Sequence, residues 1–300
     1  MRKLIRNFLN RYGYDIVKTG VPYIPKSKKD GLAKVGNYSI LMPGTNVQLI
    51  NYHLYPDLNT QLGRLAKHIF HKYPGMTVID VGANVGDTVA VLKTAVDVPV
   101  IAVEGDDISY SYLEKNVPQF SNVTIIKTFL GEKSAQLNVG LEKSGWNTTV
   151  IPVAEGGKAV AFKSLDDVIA EQPTKASIKL LKVDVEGFDT IVLRGAGNII
   201  REHQPVLFFE YNRQNMIAIN EDGLSTILSF KEMGYHRIIF FDHKGALVLS
   251  TTMQNEEAIT AMHQYISSTK NLLGYYDICI FHEADDAVAS AFLKEEQTYL

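Results

Sequence analysis

The chain has one cysteine, Cys279, lodged in the apolar stretch from Tyr275 to Phe281. It can close no internal disulfide and build no zinc-thiolate cluster, and it reads as a small buried hydrophobe. Glycine and proline are sparse, at 22 and 10 of 300 residues, which excludes a collagen-like or low-complexity chain. Neither sign of charge dominates. With 30 basic against 33 acidic residues, the net charge is −3, and no long basic run is present to track a phosphate backbone, so no nucleic-acid partner is expected. No apolar run approaches the roughly 20 residues a spanning helix needs. The start also lacks the uninterrupted apolar core of a secretory signal, and a cytoplasmic protein is expected.

What is present is a globular composition. Hydrophobic residues make up 46% and charged residues 21%, enough for one well-buried core with appended elements or two small domains. Within Met1 to Tyr12, residues Leu4, Ile5, Phe8, Leu9 and Tyr12 share one helical face, while Arg2, Lys3, Arg6 and Arg11 lie mostly elsewhere. Such a helix suits peripheral contact with an anionic membrane, docking on its own domain, or assembly with a second copy as a homo-oligomer. Tyr38 to Ile50 alternates as strands would, ending near Tyr52 to Tyr55, and Gln61 to His71 has the apolar spacing of a helix stopped by Pro74-Gly75. Residues 1–76 therefore read as an N-terminal amphipathic helix and extension lying on a core domain of residues 77–300.

From Thr77 the pattern changes. Short apolar runs at Thr77–Val81, Val98–Val103, Val123–Lys127, Ile178–Asp184 and Pro205–Glu210 alternate with helical stretches at Asp87–Val96, Ile108–Val117, Ser164–Glu171, Asp189–Glu202 and Gly223–Met233. This alternation is that of an α/β chain with a doubly wound, mostly parallel sheet. Arg237–Phe241 and Ala246–Ser250 add a hairpin, and Tyr276–Phe281 a last strand. Residues 131–163 interrupt the alternation with extra strands around Lys143 to Thr149, a polar loop carrying the only tryptophan, Trp146. Either Trp146 belongs to a substrate lid or it packs the insertion down.

The sharpest local signal is Val78-Ile-Asp-Val-Gly-Ala-Asn-Val-Gly-Asp-Thr88, a strand ending in a glycine turn that opens a helix. Gly82 and Gly86 let the backbone turn and approach a ligand, and Asn84 tolerates the left-handed conformation. The dinucleotide pattern Gly-x-Gly-x-x-Gly is missing, since Asn84 and Asp87 occupy its second and third places. Asp87 at a helix start also repels a pyrophosphate. Glu104, ending the next strand, is placed to accept two hydrogen bonds from a ribose diol. A nucleoside with positive charge near the loop meets both demands, and S-adenosyl-L-methionine is such a molecule.

Three blocks then give a resemblance: Val78 to Gly86, the strand ending Val103-Glu104, and Leu181-Lys-Val-Asp-Val-Glu-Gly-Phe-Asp-Thr-Ile-Val-Leu-Arg-Gly195. The sequence resembles class I S-adenosylmethionine-dependent methyltransferases, and among them the FkbM family, from about Thr77 to Tyr211. The resemblance implies a Rossmann-like seven-stranded, mostly parallel sheet with helices on both faces. It also implies methyl transfer to a hydroxyl oxygen of a sugar, polyketide or other secondary metabolite, that is, a small-molecule or glycan acceptor. Carried onto this chain, the cofactor-binding set is Asp80, Gly82, Ala83, Asn84, Gly86, Glu104, Gly105 and Asp184, with Thr128 and Phe129 toward the adenine. No role is carried onto Phe188 or Asp189.

Ligands of open parallel sheets bind outside the carboxyl ends of the strands, so Asp184, Glu186 and Glu210 should face one cleft. Two chemical readings follow. Asp184 or Glu210 is a catalytic general base, its pKa raised by crowding and burial, or Asp184, Glu210 and Asn212 hold Mg²⁺. Trp146, Glu186 and Tyr211 are the candidate substrate contacts. Glu186 capping the following helix, and Glu210 tied to backbone amides, are the structural alternatives. Two other classes stay open: an NAD-dependent oxidoreductase, opposed by the altered glycine spacing, and a noncatalytic cofactor-binding scaffold.

Overall fold

A computed structural model of the chain describes residues 29–144, 147–152, 157–172, 177–268 and 273–299. The amphipathic segment 1–12 and Trp146 lie outside these residues. A hairpin of β1 (Gly31–Val35) and β2 (Tyr38–Met42) leads to α1 (Gln48–Leu54) and α2 (Thr60–Lys72). The strand expected to run on to Ile50 stops at Met42. Pro43-Gly44 breaks it, and the Asn46 side-chain oxygen then accepts from the Gln48 amide at 2.8 Å, turning the chain into α1.

The α/β alternation begins with β3 (Thr77–Val81), α3 (Asp87–Ala95), β4 (Val100–Glu104), α4 (Asp107–Asn116) and β5 (Val123–Lys127). An inserted sheet follows, made of β6 (Phe129–Leu130), β7 (Ala135–Ser144), β8 (Asn147–Pro152) and β9 (Lys158–Lys163), in the order β6-β9-β7-β8. Then come α5 (Leu165–Ala170), β10 (Ile178–Val183), α6 (Asp189–Arg194), α7 (Gly197–His203) and β11 (Val206–Tyr211). The stretch read as one helix from Asp189 to Glu202 is thus two. It breaks at Gly195, where the Gly131 carbonyl of the insertion comes so close that a Cβ would lie 2.3 Å from it. The chain ends through α8 (Arg213–Ala218), α9 (Leu224–Ser229), β12 (Tyr235–Asp242), β13 (Leu247–Thr252), α10 (Glu256–Ser267), β14 (Tyr276–His282) and α11 (Asp286–Glu296).

The main sheet has the order β13-β12-β14-β11-β10-β3-β4-β5. Strands β11, β10, β3, β4 and β5 are parallel, and β14 lies antiparallel between β11 and β12. The seven-stranded, mostly parallel sheet is therefore present, with β13 added as an eighth strand at its edge. Two apolar layers cover its faces. One joins Val78, Leu180, Phe208 and Cys279 to α2, α3 and α11, and the other joins Ile79, Leu181, Phe209 and Ile278 to α5, α6, α7 and α10. No helix among the described residues is long and apolar enough to cross a membrane.

The period of two along each strand fixes what reaches the cleft. Asp80, Lys182, Glu210 and Asp277 share the face that α2 covers, and Val81, Val183 and Tyr211 take the other. Phe209, wholly buried between Val183 and Ile278 of the neighbouring strands, fixes that register from the opposite layer. Phe209→Ala should lower the urea-unfolding free energy by about 3–5 kcal/mol. A loss below about 1 kcal/mol would contradict this placement.

Candidate active site

The cleft opens at the carboxyl ends of β3, β4 and β10, where the chain proceeds from β3 to β4 on one side and resumes at β10 on the other. The loop after β3 turns on left-handed residues Gly82 (φ 73°), Asn84 (φ 49°) and Gly86 (φ 89°). The turn expected of Asn84 is the one it makes. A Cβ on Gly82 would stand 1.8 Å from the Asp184 carbonyl oxygen, so no other residue fits there without moving β10. At Gly105 a Cβ would meet the Phe129 ring at 2.5 Å.

Beneath the loop lies a buried ion pair. Lys182 Nζ is 3.0 Å from Asp80 Oδ1 and 3.5 Å from Asp184 Oδ2, and it donates to the Gly82 carbonyl at 3.3 Å. Thr88 Oγ1 donates to the other oxygen of Asp80. Burial works against the Lys182 ammonium, but Asp80 and then Asp184 outweigh it and hold its pKa above the usual lysine range. Asp80 is thereby engaged under the loop, with its side chain fully buried.

Glu104 holds the loop from the β4 side. It accepts from the Asn84 amide at 2.8 Å and the Asp106 amide at 2.7 Å, yet burial still pushes its pKa up to about 7. Its remaining lone pairs are available to a diol. Thr128, Phe129, Phe162 and Phe188 line the same end of the cleft, and the Phe162 and Phe188 rings stack at 6.2 Å. Phe162 belongs to β9, so the insertion supplies a wall of the cleft. The side chains of residues 141–152 lie outside the described set.

The turn after β10 is held by Asp189, whose carboxylate accepts from the Val185 and Gly187 amides, each at 3.1 Å. This leaves Glu186 in left-handed backbone (φ 53°), uncommon for a residue with a side chain. Glu186 lies two residues before Phe188, the N-cap of α6. It accepts from Asn215 Nδ2 at 2.7 Å, and burial, then Asp184, raises its pKa to about 7.

The third group of acids forms a row across adjacent strands. Glu210 on β11 lies directly opposite Asp277 on β14, and Asp184 follows the end of β10 beside them. All three line one small cavity with Asn59, which precedes α2, and Gln61 of α2. Burial, then the neighbouring carboxylates, drives Glu210 well above the usual range, and its Oε1 is buried without a hydrogen-bond partner among the described residues. The backbone-amide reading of Glu210 finds no support in that atom. Burial takes Asp277 to about 8.

Two candidates lie elsewhere. Tyr211 alternates onto the opposite face, where its hydroxyl meets His263 Nδ1 at 2.8 Å and donates to the Asp222 carbonyl. Asn212 is turned to cap α8, accepting from the Asn215 amide at 3.4 Å. The Asp184, Glu210 and Asn212 set therefore does not converge as a magnesium site, and no group of three or more acids, histidines or cysteines among the described residues is arranged to hold a metal ion. Sequence reasoning passed over Tyr52, Asn59, Gln61 and Asp277. Only the acid at the start of the last strand, Asp277, carried a readable signal, an ionisable group beginning an otherwise apolar run.

A family model described as the methyltransferase FkbM domain matches residues 80–237, just over half of the chain. The chain belongs to the FkbM methyltransferase family. Among solved structures it is similar to methyltransferase FkbM from Methylobacillus flagellatus KT, at 18% identity over 59% of this chain and 46% of that one, with a TM-score of 0.36. It thus spans under half the length of that protein. It is also similar to the METTL16 MTase domain, at 11% identity over 82% of this chain and 74% of that one (TM-score 0.43), and to M. jannaschii TYW2 in complex with AdoMet, at 12% identity over 88% and 90% (TM-score 0.40). No curated protein sequence matches it. The FkbM domain holds the β3 loop, Glu104, Asp184, Glu186 and Glu210, while Tyr52, Asn59, Gln61 and Asp277 come from outside it.

The raised carboxyls of this FkbM protein set the sign of its pH response. Glu104 and Glu186 both carry folded-state pKa values of about 7, above the 4.5 of a free carboxyl. Their contribution to stability is full below pH 4.5 and is lost as pH rises through about 7. The melting temperature of the ligand-free protein should therefore fall between pH 5 and 8, and Glu104→Gln should flatten the decline. A melting temperature that rises over this interval would contradict the assignment.

Proposed function

We propose that this protein is an S-adenosylmethionine-dependent methyltransferase that methylates a hydroxyl group of a small-molecule or glycan acceptor, such as a sugar or polyketide. The observation that carries the reading is the charge of the cleft. Among the described residues, Asp87, Glu104, Asp106, Asp184 and Glu186 line it against a single ammonium, Lys182, itself neutralised by Asp80. A cleft of that sign admits a cationic nucleoside and repels a dinucleotide pyrophosphate, which disfavours the NAD-dependent alternative. The cradle also fits: Gly82 and Gly105 line the cleft at points where a Cβ would collide with Asp184 and Phe129, and the Asn84 side-chain oxygen is buried without a hydrogen-bond partner among the described residues.

S-adenosylmethionine, when bound, supplies a methyl group on a positively charged sulfur. Glu104 would receive the ribose hydroxyls, and the phenylalanine walls would enclose the adenine. The acceptor's hydroxyl proton would pass to the carboxylates at the other end, Asp184 at the cleft and Glu210 behind it in the adjoining cavity. Glu210, buried and with its pKa raised, is a stronger base than a free carboxylate once ionised. Alignment and exclusion of water do the rest, because the leaving group is already good.

Titration calorimetry with S-adenosylmethionine should show binding, weakened at least about tenfold by Glu104→Ala, the loss of a charge-assisted hydrogen-bond pair. With methyl-labelled cofactor and a panel of hydroxyl acceptors, Asp184→Asn and Glu210→Gln should each lower kcat about 10²–10⁴-fold, and Glu210→Gln, which lies in the adjoining cavity, should leave cofactor affinity little changed. No binding of S-adenosylmethionine by the intact protein would overturn the reading, and undiminished turnover in both variants would remove the carboxylates from it.

A further inference from the structure

Among the described residues, the segment preceding residues 80–237 adjoins the cleft through Gln48, Tyr52 and Asn59. Tyr52 on α1 is only 3% exposed, and its hydroxyl donates to Asp87 Oδ2 at 2.9 Å. Asp87, 5% exposed, opens α3 directly after the glycine loop and lines the cleft. Asn59 Nδ2 in turn donates to the Tyr52 hydroxyl at 3.3 Å, from left-handed backbone at φ 62°. Gln48 and Asn59 stand in the cleft wall beside Asp87.

This chain of contacts has a cost that packing alone does not explain. A carboxylate buried among apolar residues is unfavourable, and an asparagine or leucine would fill the space without that penalty. The position of Asp87 says what the charge is for. Glu104 occupies the β4 side of the loop, where the cofactor reading puts the ribose, whereas Asp87 lines the cleft within the field of Lys182 of β10.

We propose that Tyr52 is a positioning residue for cofactor binding, holding the Asp87 carboxylate aimed into the cleft to receive the positively charged methionine end of S-adenosylmethionine. This rests on the cofactor reading above. It makes the N-terminal extension part of the cofactor site, completing from α1 and α2 what the FkbM domain leaves open. The groups facing Asp87 are Tyr52 from α1, Lys182 from β10 and Asp80 from β3. Burial raises Asp87 to about 6, and the Tyr52 hydrogen bond and Lys182 oppose the rise. Removing the hydroxyl lets the carboxyl rise further, so its charge is lost nearer neutral pH.

The test is calorimetry with S-adenosylmethionine at pH 6.5 and 8.5, on the full chain and on Tyr52→Phe. Glu104 and Glu186 titrate in both proteins alike, so the ratio between variant and parent isolates Asp87. Tyr52→Phe should bind about tenfold more weakly than the parent at pH 6.5 and within about threefold at pH 8.5, where the carboxylate is ionised regardless. Asp87→Asn, which keeps the shape and a partner for Tyr52, should bind about tenfold more weakly at both pH values with no loss of melting temperature, and it serves as the second test if Tyr52→Phe does not fold. Equal affinities at both pH values for Tyr52→Phe and its parent, or an unchanged affinity in Asp87→Asn, would overturn the proposal. A parent that binds no S-adenosylmethionine at either pH would instead overturn the cofactor reading.

Discussion

Lys182 is buried on β10 with its ammonium against Asp80, Asp184 and the backbone of the glycine loop. Removing a charge from water is costly unless an opposite charge and hydrogen bonds surround it, and here they come from β3, β10 and the loop at once. The requirement runs in both directions. Asp80 could not be wholly buried without Lys182, and the loop carbonyls could not bend inward without a donor beneath them. The pair is near-neutral in sum, so the remaining cleft carboxylates decide its sign.

The sheet makes this arrangement available. At the switch between β4 and β10, the loops on either side of β3 diverge and leave a crevice, and the left-handed residues Gly82, Asn84, Glu186 and Gly187 gather around it. Backbone in such conformations persists only where neighbours hold it. Asp189 does so for Glu186, and Glu104 does so for Asn84. Farther along the same face, the pairing of β11 with β14 sets Glu210 against Asp277. Like charges so placed and buried cannot both ionise cheaply, which keeps a proton in the cavity at neutral pH.

Much of this was legible in the sequence, for local reasons. The glycine turn, the acid ending β4 and the run from Lys182 to Gly187 are contiguous, and strand alternation already placed Asp184 and Glu210 at one end of the sheet. The same alternation, applied one residue further, would have turned Tyr211 away from the cleft. What stayed hidden depends on contacts distant in sequence. Tyr52 meets Asp87 from a helix that the Tyr38–Ile50 pattern disguised as a strand, and Gln61 approaches Asp277 across 216 residues. The break at Gly195 likewise follows from the approach of Gly131, which no helix propensity records.

A double-mutant cycle of Lys182→Met and Asp80→Asn, read by urea unfolding, tests the dependence of the loop on its buried pair. Lys182→Met strands the buried Asp80 carboxylate and should cost about 3–5 kcal/mol, Asp80→Asn leaves Lys182 with Asp184 and should cost less, and the double substitution should recover at least about 2 kcal/mol of the summed loss. Strictly additive losses would show that the two residues act apart, and that the loop is held by something other than this pair.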